Sequence, residues 1–176
     1  APLHGDLAKK ALHLLAVPLQ DRSELLFGQI PLLDHHLQHL ALLETRRVLD
    51  GLIAENAASR STSEQRNRLR DLSSRITDAA AIPDASEFVR IDAEADAILE
   101  AASRNPFAVQ ATAPLHTHCR RFWFMYRKNG DLPQSAQLHS VLFKVVADGD
   151  PSGSSTASDA LLDYLVQFTR SALEDY

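Results

Sequence analysis

EFVRIDAEADAILEAASRNPF, residues 87–107, is the stretch on which the fold turns. Phe88, Ile91, Ala95, Ile98, Leu99 and Ala102 recur at helical spacing. That period predicts an amphipathic helix with one face in a core. Asp92 and Asp96 sit one turn apart beside the stripe. A carboxylate that touches a core needs a cation, a donor or a ligand to offset its desolvation. The stretch therefore predicts a polar pocket inside an otherwise apolar bundle.

Similar patterns extend to both sides. Upstream, a long helix is expected from Leu32 to Ala58, with Leu33, Leu37, Leu40, Leu43 and Leu49 to Ile53 on its core face. Thr62 or Ser63 can cap a second helix that has Glu64 in its first turn and Leu69, Leu72 and Ile76 inward. Asp84 or Ser86 would cap the helix of the two aspartates. Downstream, Asn105-Pro106 marks a boundary, because proline suits the first helical turn. The next helix should reach Lys128, kinked at Pro114. Asn129-Gly130-Asp131 reads as a turn. Pro133 to Ala147 reads as a helix with Leu138, Leu142, Val145 and Val146 inward. Asp148 to Ser158 reads as a polar Gly/Ser loop and Ala157 to Leu173 as the last helix. At the start, Leu7 to Leu19 is a short apolar helix candidate and Asp21 to Pro31 a connector. The expected fold is all-α, an antiparallel bundle of about six helices.

Composition agrees. The chain has 176 residues, 45% of them hydrophobic, and only 6 glycines. That is enough for one domain with a real core. The net charge of −5 argues against a broad phosphate-binding surface. One cysteine, Cys119, excludes an internal disulfide and fits a reducing compartment. No apolar run approaches the roughly 20 residues that span a bilayer. The expectation is a cytoplasmic protein with no membrane contact. The opening APLHGD reads as a cut boundary as much as a natural start, which leaves room for an upstream domain.

Three blocks of residues carry a family resemblance. LLETRRVLDGLIAENAA (Leu42–Ala58) is similar to the opening helix of the FCD domain of GntR-type transcription regulators, with Glu44, Arg46, Leu49 and Asp50 at its pattern positions. Residues 87–107 resemble a second block of that family through Asp92, Ala101, Ala102, Asn105 and Pro106. AQLHSVLFKVVADGD (Ala136–Asp150) resembles its HxxIxxAIxxGD helix, with His139 at the histidine. The blocks fall in family order across Leu32 to Tyr176.

The resemblance implies a helical bundle over residues 31–176 that binds a small-molecule effector, forms a homodimer and has no catalytic role. It implies DNA contact only through a separate winged helix-turn-helix domain. Residues 1–30 are too short for that domain and lack its strand pair. Many family members hold a divalent metal of the zinc or nickel class with one aspartate and three histidines, a donor set that suits such ions. Asp92 and His139 match two of those ligands. Asp96 and Tyr164 stand where the other two histidines would be.

Three readings of the site remain open. A metal binds through Asp92, Asp96 and His139, with His118 as a substitute ligand. Alternatively, the pocket binds an organic carboxylate directly, with Arg46, Arg120 or Arg121 as its anchor. In the third reading the aspartates are solvated. The expected effector-binding set is Arg46, Asp92, Asp96, His118, His139 and Tyr164.

Other motifs have plainer readings. His35 and His39 in DHHLQH can chelate zinc at i, i+4, but nothing else in sequence converges on them. His116 and His118 diverge on a helix, so one of them faces inward; His118, grouped with Leu115, Cys119 and Phe122, is the choice. RRFWFMYRK (Arg120–Lys128) mixes basic and aromatic residues as single-strand nucleic-acid sites do, yet Phe122, Met125 and Tyr126 read as core with snorkelling arginines. Cys119 reads as a buried thiol. The Gly/Ser stretch at Asp150 to Ser158 lacks Walker spacing. Against the regulator stand two alternatives: a metal-dependent bundle enzyme, and a purely structural helical module.

Overall fold

The computed structural model describes residues 32–82, 85–128 and 131–174. The expected helix at Leu7 to Leu19, its connector, the Asp84 cap and the Asn129-Gly130 turn lie outside these residues. The described residues form six helices and no strand. They are α1 (Leu32–Arg60), α2 (Ser63–Ala81), α3 (Ala85–Ser103), α4 (Pro106–Tyr126), α5 (Asp131–Asp148) and α6 (Pro151–Glu174). No described helix is long and apolar enough to cross a membrane.

Each boundary has a local cause. Thr62 caps α2 through a capping box: its hydroxyl accepts from Gln65 N, and the Gln65 side chain accepts from Thr62 N. Asn105 accepts from Ala108 N, and Pro106 opens α4. Pro114 lies inside α4 without ending it.

The α5–α6 corner corrects the expected loop. Gly149 takes φ +78°, Gly149 N bonds to Val146 O, and Asp150 N bonds to Val145 O. These bonds end α5 in a Schellman motif. Asp150 at once caps α6, accepting from Gly153 N at 3.0 Å, and Pro151 fills the first helical position. The Gly/Ser run is therefore the first two turns of a helix. Its small residues let helices approach closely: a Cβ on Gly51 of α1 would lie 3.5 Å from Ser155 Oγ, while Ser154 and Ser158 are buried.

Side-chain pairs fix the register. Ser73 and Ser140 share a buried hydrogen bond at 2.8 Å between α2 and α5. Arg66, at the start of α2, reaches Ala147 O at the end of α5, so these helices run antiparallel. Arg75–Glu87 and Arg68–Glu94 set α2 against α3 in the same sense. Arg47 of α1 meets Asp159 and Asp163 of α6. Arginines also close the helix ends. Arg66 donates to Ala58 O of α1, Ser61 O and Ala147 O, and Arg60 donates to Ser103 O of α3.

The core contains Leu43 and Ile53 of α1, Leu69, Leu72 and Ile76 of α2, and Phe88, Ile91, Ala95, Leu99 and Ala102 of α3. Phe143 and Val146 of α5 and Leu162 of α6 complete its centre. Leu37, Leu52 and Met125 were expected inside but are exposed. In each case a neighbour on the same helix takes the inward position: His39, Ile53 and Phe122 respectively.

Gly149→Ala should destabilise the domain by about 1–2 kcal/mol, measured by urea unfolding. Its new Cβ would meet Arg66 Nη1 at 2.4 Å in a left-handed conformation.

Candidate functional site

The apolar stripe of α3 carries Asp92 and Asp96 to the middle of the bundle, facing α4 and α5. Asp92 is 8% exposed. Its Oδ2 accepts from Arg120 Nε of α4 at 2.6 Å, and its Oδ1 accepts from His139 Nε2 of α5 at 3.1 Å. Arg120 Nη2 also bonds to Asp96 Oδ2. His116 of α4, 7% exposed, lies between Asp96 Oδ2 and Asp50 Oδ1 of α1, each at 2.9 Å. Arg46, 8% exposed, pairs with Asp50 at 2.7 Å one turn along α1. The result is a continuous chain of opposite charges: Arg46, Asp50, His116, Asp96, Arg120, Asp92, His139.

The surroundings of both histidines favour their charged form. His139 Nδ1 faces Ser135 O at 2.7 Å and its Nε2 faces a carboxylate. His116 faces carboxylates at both nitrogens. Carbonyls and carboxylates only accept, so this arrangement favours the doubly protonated, cationic form of both rings. For His116, burial opposes the charge, but the Asp96 charge and the bonds to Asp50 and Asp96 outweigh it, and its pKa is pushed up to about 10. For His139, burial again opposes, and Asp92 with Ser135 O holds the pKa above the usual range. Burial would raise the Asp92 carboxyl, but His139 and Arg120 hold it well below the ordinary value. Asp50 is likewise lowered, against burial, by Arg46 and His116. Glu100, 3.6 Å from His116, is raised by burial and by the Asp96 charge. Four cationic groups thus meet three aspartates, a surplus of one positive charge before Glu100 at the rim is counted.

A chamber of about 40 Å³ opens onto Asp92, Asp96, His116, Arg120, His139, Arg46 and Cys119, with Phe88, Trp123 and Leu165 as its apolar wall. It has room for a few water molecules, an ion or one carboxylate group. His116 and Asp96 separate it from a second space of about 30 Å³ beside Asp50 and Glu100.

The expected residues divide. Arg46, Asp92, Asp96 and His139 converge on this chamber. Tyr164 does not. Its hydroxyl donates to Asp131 O at 3.2 Å and accepts from Trp123 Nε1 at 3.4 Å, and it borders a different space beside Tyr126 and Lys128. His118 also lies elsewhere, with its ring 5.9 Å from that of His39. The inward histidine is His116. Thr112, His116, Cys119 and Trp123 form the buried stripe of α4 at i, i+4, i+7 and i+11, and that periodicity was the signal available to find it. Nothing in sequence paired Asp50 with His116. His39 is buried and stacks on Phe122 with ring centroids 3.9 Å apart, so it belongs to the core. Cys119 is buried, and burial pushes its thiol up against the pull of Arg46.

The donors here differ from the one aspartate and three histidines that the resemblance implies. Asp92 and His139 are adjacent, but the guanidinium of Arg120 already binds Asp92 and Asp96. Among the described residues no group of three or more His, Cys, Asp or Glu side chains is arranged to hold an ion.

The charge chain makes stability depend on pH in a definite sense. The raised pKa of His116 stabilises the fold fully below its unfolded value of 6.5, and that contribution is lost as pH rises through about 10. The lowered Asp92 and Asp50 stabilise above the ordinary carboxylate range, and their contribution is lost as pH falls below it. Unfolding free energy should therefore decline between pH 7 and 10. His116→Gln should lower stability at every pH but flatten that alkaline decline, as read by urea titrations at several pH values.

The geometry is that of a buried polar pocket inside an all-helical bundle, with charges supplied by α1, α3, α4 and α5. Residues 41–164 match the FCD domain family, a span that holds every residue of the charge chain from Arg46 to His139. The chain therefore belongs to the FCD family, the effector-binding regulatory domains of GntR-type transcription regulators.

Proposed function

We propose that this domain senses a small organic anion directly in the α3–α4–α5 chamber, with Arg120 supplying the cation that a metal supplies elsewhere in the family. The observation that carries this reading is the guanidinium bridging Asp92 and Asp96 beside the imidazolium of His139. A carboxylate entering the chamber would meet Arg120 and His139 as donors. Trp123 and Phe88 would exclude water from it. Arg46, Asp92, Asp96 and His116 hold the donors in place.

The signal would be a population shift. An effector that draws Arg120 from its aspartates changes how α4 sits on α3, and it favours whichever arrangement binds it better. In a homodimer, that shift alters the spacing of attached winged helix-turn-helix domains, through which DNA would be contacted. The runner-up is a metal-dependent function of the same pocket, through Asp92, Asp96 and His139.

Titration with small carboxylates, followed by Trp123 fluorescence and melting temperature, tests the site. Trp123 is the only tryptophan in the chain. Arg120→Gln and His139→Ala should each weaken carboxylate binding tenfold or more while leaving a folded helical protein. Zinc or nickel should raise the melting temperature of wild type little, and that of Arg120→Gln more. Strong metal stabilisation of wild type, with carboxylate binding only in its presence, would favour the runner-up, and turnover under those conditions would make the domain an enzyme.

Dimerisation is checked by light scattering. A dimer at micromolar concentration is expected from the family, and it would need an interface of about 1,200 Å² or more. A monomer would remove the route from effector to DNA spacing.

A further inference from the structure

A second compartment lies at the end of the bundle where α4 stops and α5 begins. Its volume of about 260 Å³ is near the lower end of the range for small-molecule sites. Tyr164 and Phe168 of α6, one turn apart with ring centroids at 6.3 Å, supply an aromatic wall. Phe122 packs edge-on against Phe168 at 6.2 Å and holds that wall in place. Gln134 of α5 and Gln167 of α6 line the same space and are both exposed. Neither carboxamide has a hydrogen-bond partner among the described residues. The charged side chains of the lining, Lys128 and Asp131, are one of each sign, and Asp131 Oδ2 accepts from Lys128 N at 2.6 Å.

We infer that this compartment is a second binding site, for a neutral flat heterocycle with a donor–acceptor edge, a nucleobase or its nucleoside. The inference goes beyond the anion reading of the chamber and does not depend on it. Three observations select this class. The lining carries no net charge, so it favours neither an anion nor a cation. A carboxamide presents a donor and an acceptor side by side, which matches the paired donor and acceptor on the edge of a base; here two such groups come from two helices. The aromatic wall offers a stacking face, and every base has one to lay against it. A polyol would use the carboxamides without the wall, and an alkyl chain the wall without the carboxamides. The compartment also adjoins the chamber. The Tyr164 hydroxyl accepts from Trp123 Nε1 at 3.4 Å, and Trp123 lines the chamber. Tyr164 is thus the partition between the two spaces, and an occupant that draws on its hydroxyl acts on the chamber wall.

Calorimetric titration of the protein with adenosine and uridine tests this, with ribose and phenol as probes that lack the ring or the edge. At least one nucleoside should bind saturably, and ribose and phenol should each bind at least tenfold more weakly. The double variant Gln134→Ala, Gln167→Ala removes two exposed side chains and should keep the wild-type melting temperature. It should bind the nucleoside about tenfold or more weakly, as expected for the loss of two hydrogen-bonding groups. The indole N–H resonance of Trp123, the only tryptophan, should move on saturation through its bond to Tyr164. Four results would overturn the inference. No heat from either nucleoside would remove the site while leaving the chamber reading intact. Ribose or phenol binding as tightly as the nucleoside would assign the space to a polyol or to any aromatic ring. Equal affinity in the double variant, or an unmoved Trp123 resonance at saturation, would place the nucleoside elsewhere on the protein.

Discussion

The charged chain from Arg46 to His139 is the constraint on which this bundle is organised. Seven ionic side chains taken from water would each cost several kcal/mol if left alone. Here each anion lies between two cations and each inner cation between two anions, so no charge enters the core without a neighbour of opposite sign. That condition couples four helices. Asp50 needs α1 at the height of His116, Asp96 needs α3 at the height of both His116 and Arg120, and Asp92 needs α5 close enough to present His139. Apolar packing alone would permit small slides of one helix along another; paired charges with bonds below about 3.1 Å do not.

The same alternation supports the proposal that the pocket takes its effector without a metal. A divalent ion and a guanidinium solve the same problem, which is to satisfy carboxylates inside an apolar bundle. The guanidinium differs in being tethered and planar, and it can leave its carboxylates without leaving the protein. Here a tethered cation already lies between Asp92 and Asp96, so the pocket is charged before any ligand arrives.

Much of this was legible in the sequence. The helices, the Thr62 and Asn105 caps and the inward faces of α2 and α3 follow from 3.6-residue periodicity and capping chemistry, both local properties. Asp92 and Asp96 were found because a carboxylate beside an apolar stripe is locally anomalous. The Gly/Ser run was read as a loop because its composition outweighed the Asp150-Pro151 start signal; whether such residues form a loop or a tight helical crossing depends on the partner helix, here Gly51 of α1. Sequence alone favours His118 over His116, because two histidines two positions apart differ only in which stripe they share. The partner that decides between them, Asp50, lies on a different helix and 66 positions away. Tyr164 follows only from counting along a family pattern; it is buried, but its hydroxyl meets Trp123 and Asp131 instead of the chamber.

Arg66 couples two helices mechanically. One guanidinium grips carbonyls near the C-terminal ends of α1 and α5, so those ends share a fulcrum. Near this point, Asp150 serves as cap for both α5 and α6 and leaves no slack at the corner. Motion of α5 around an occupant would then reach α1 as a swing and not as a slide. On a helix of 29 residues, ~43 Å long at 1.5 Å per residue, one degree of tilt at the fulcrum displaces the opposite end by roughly 0.7 Å.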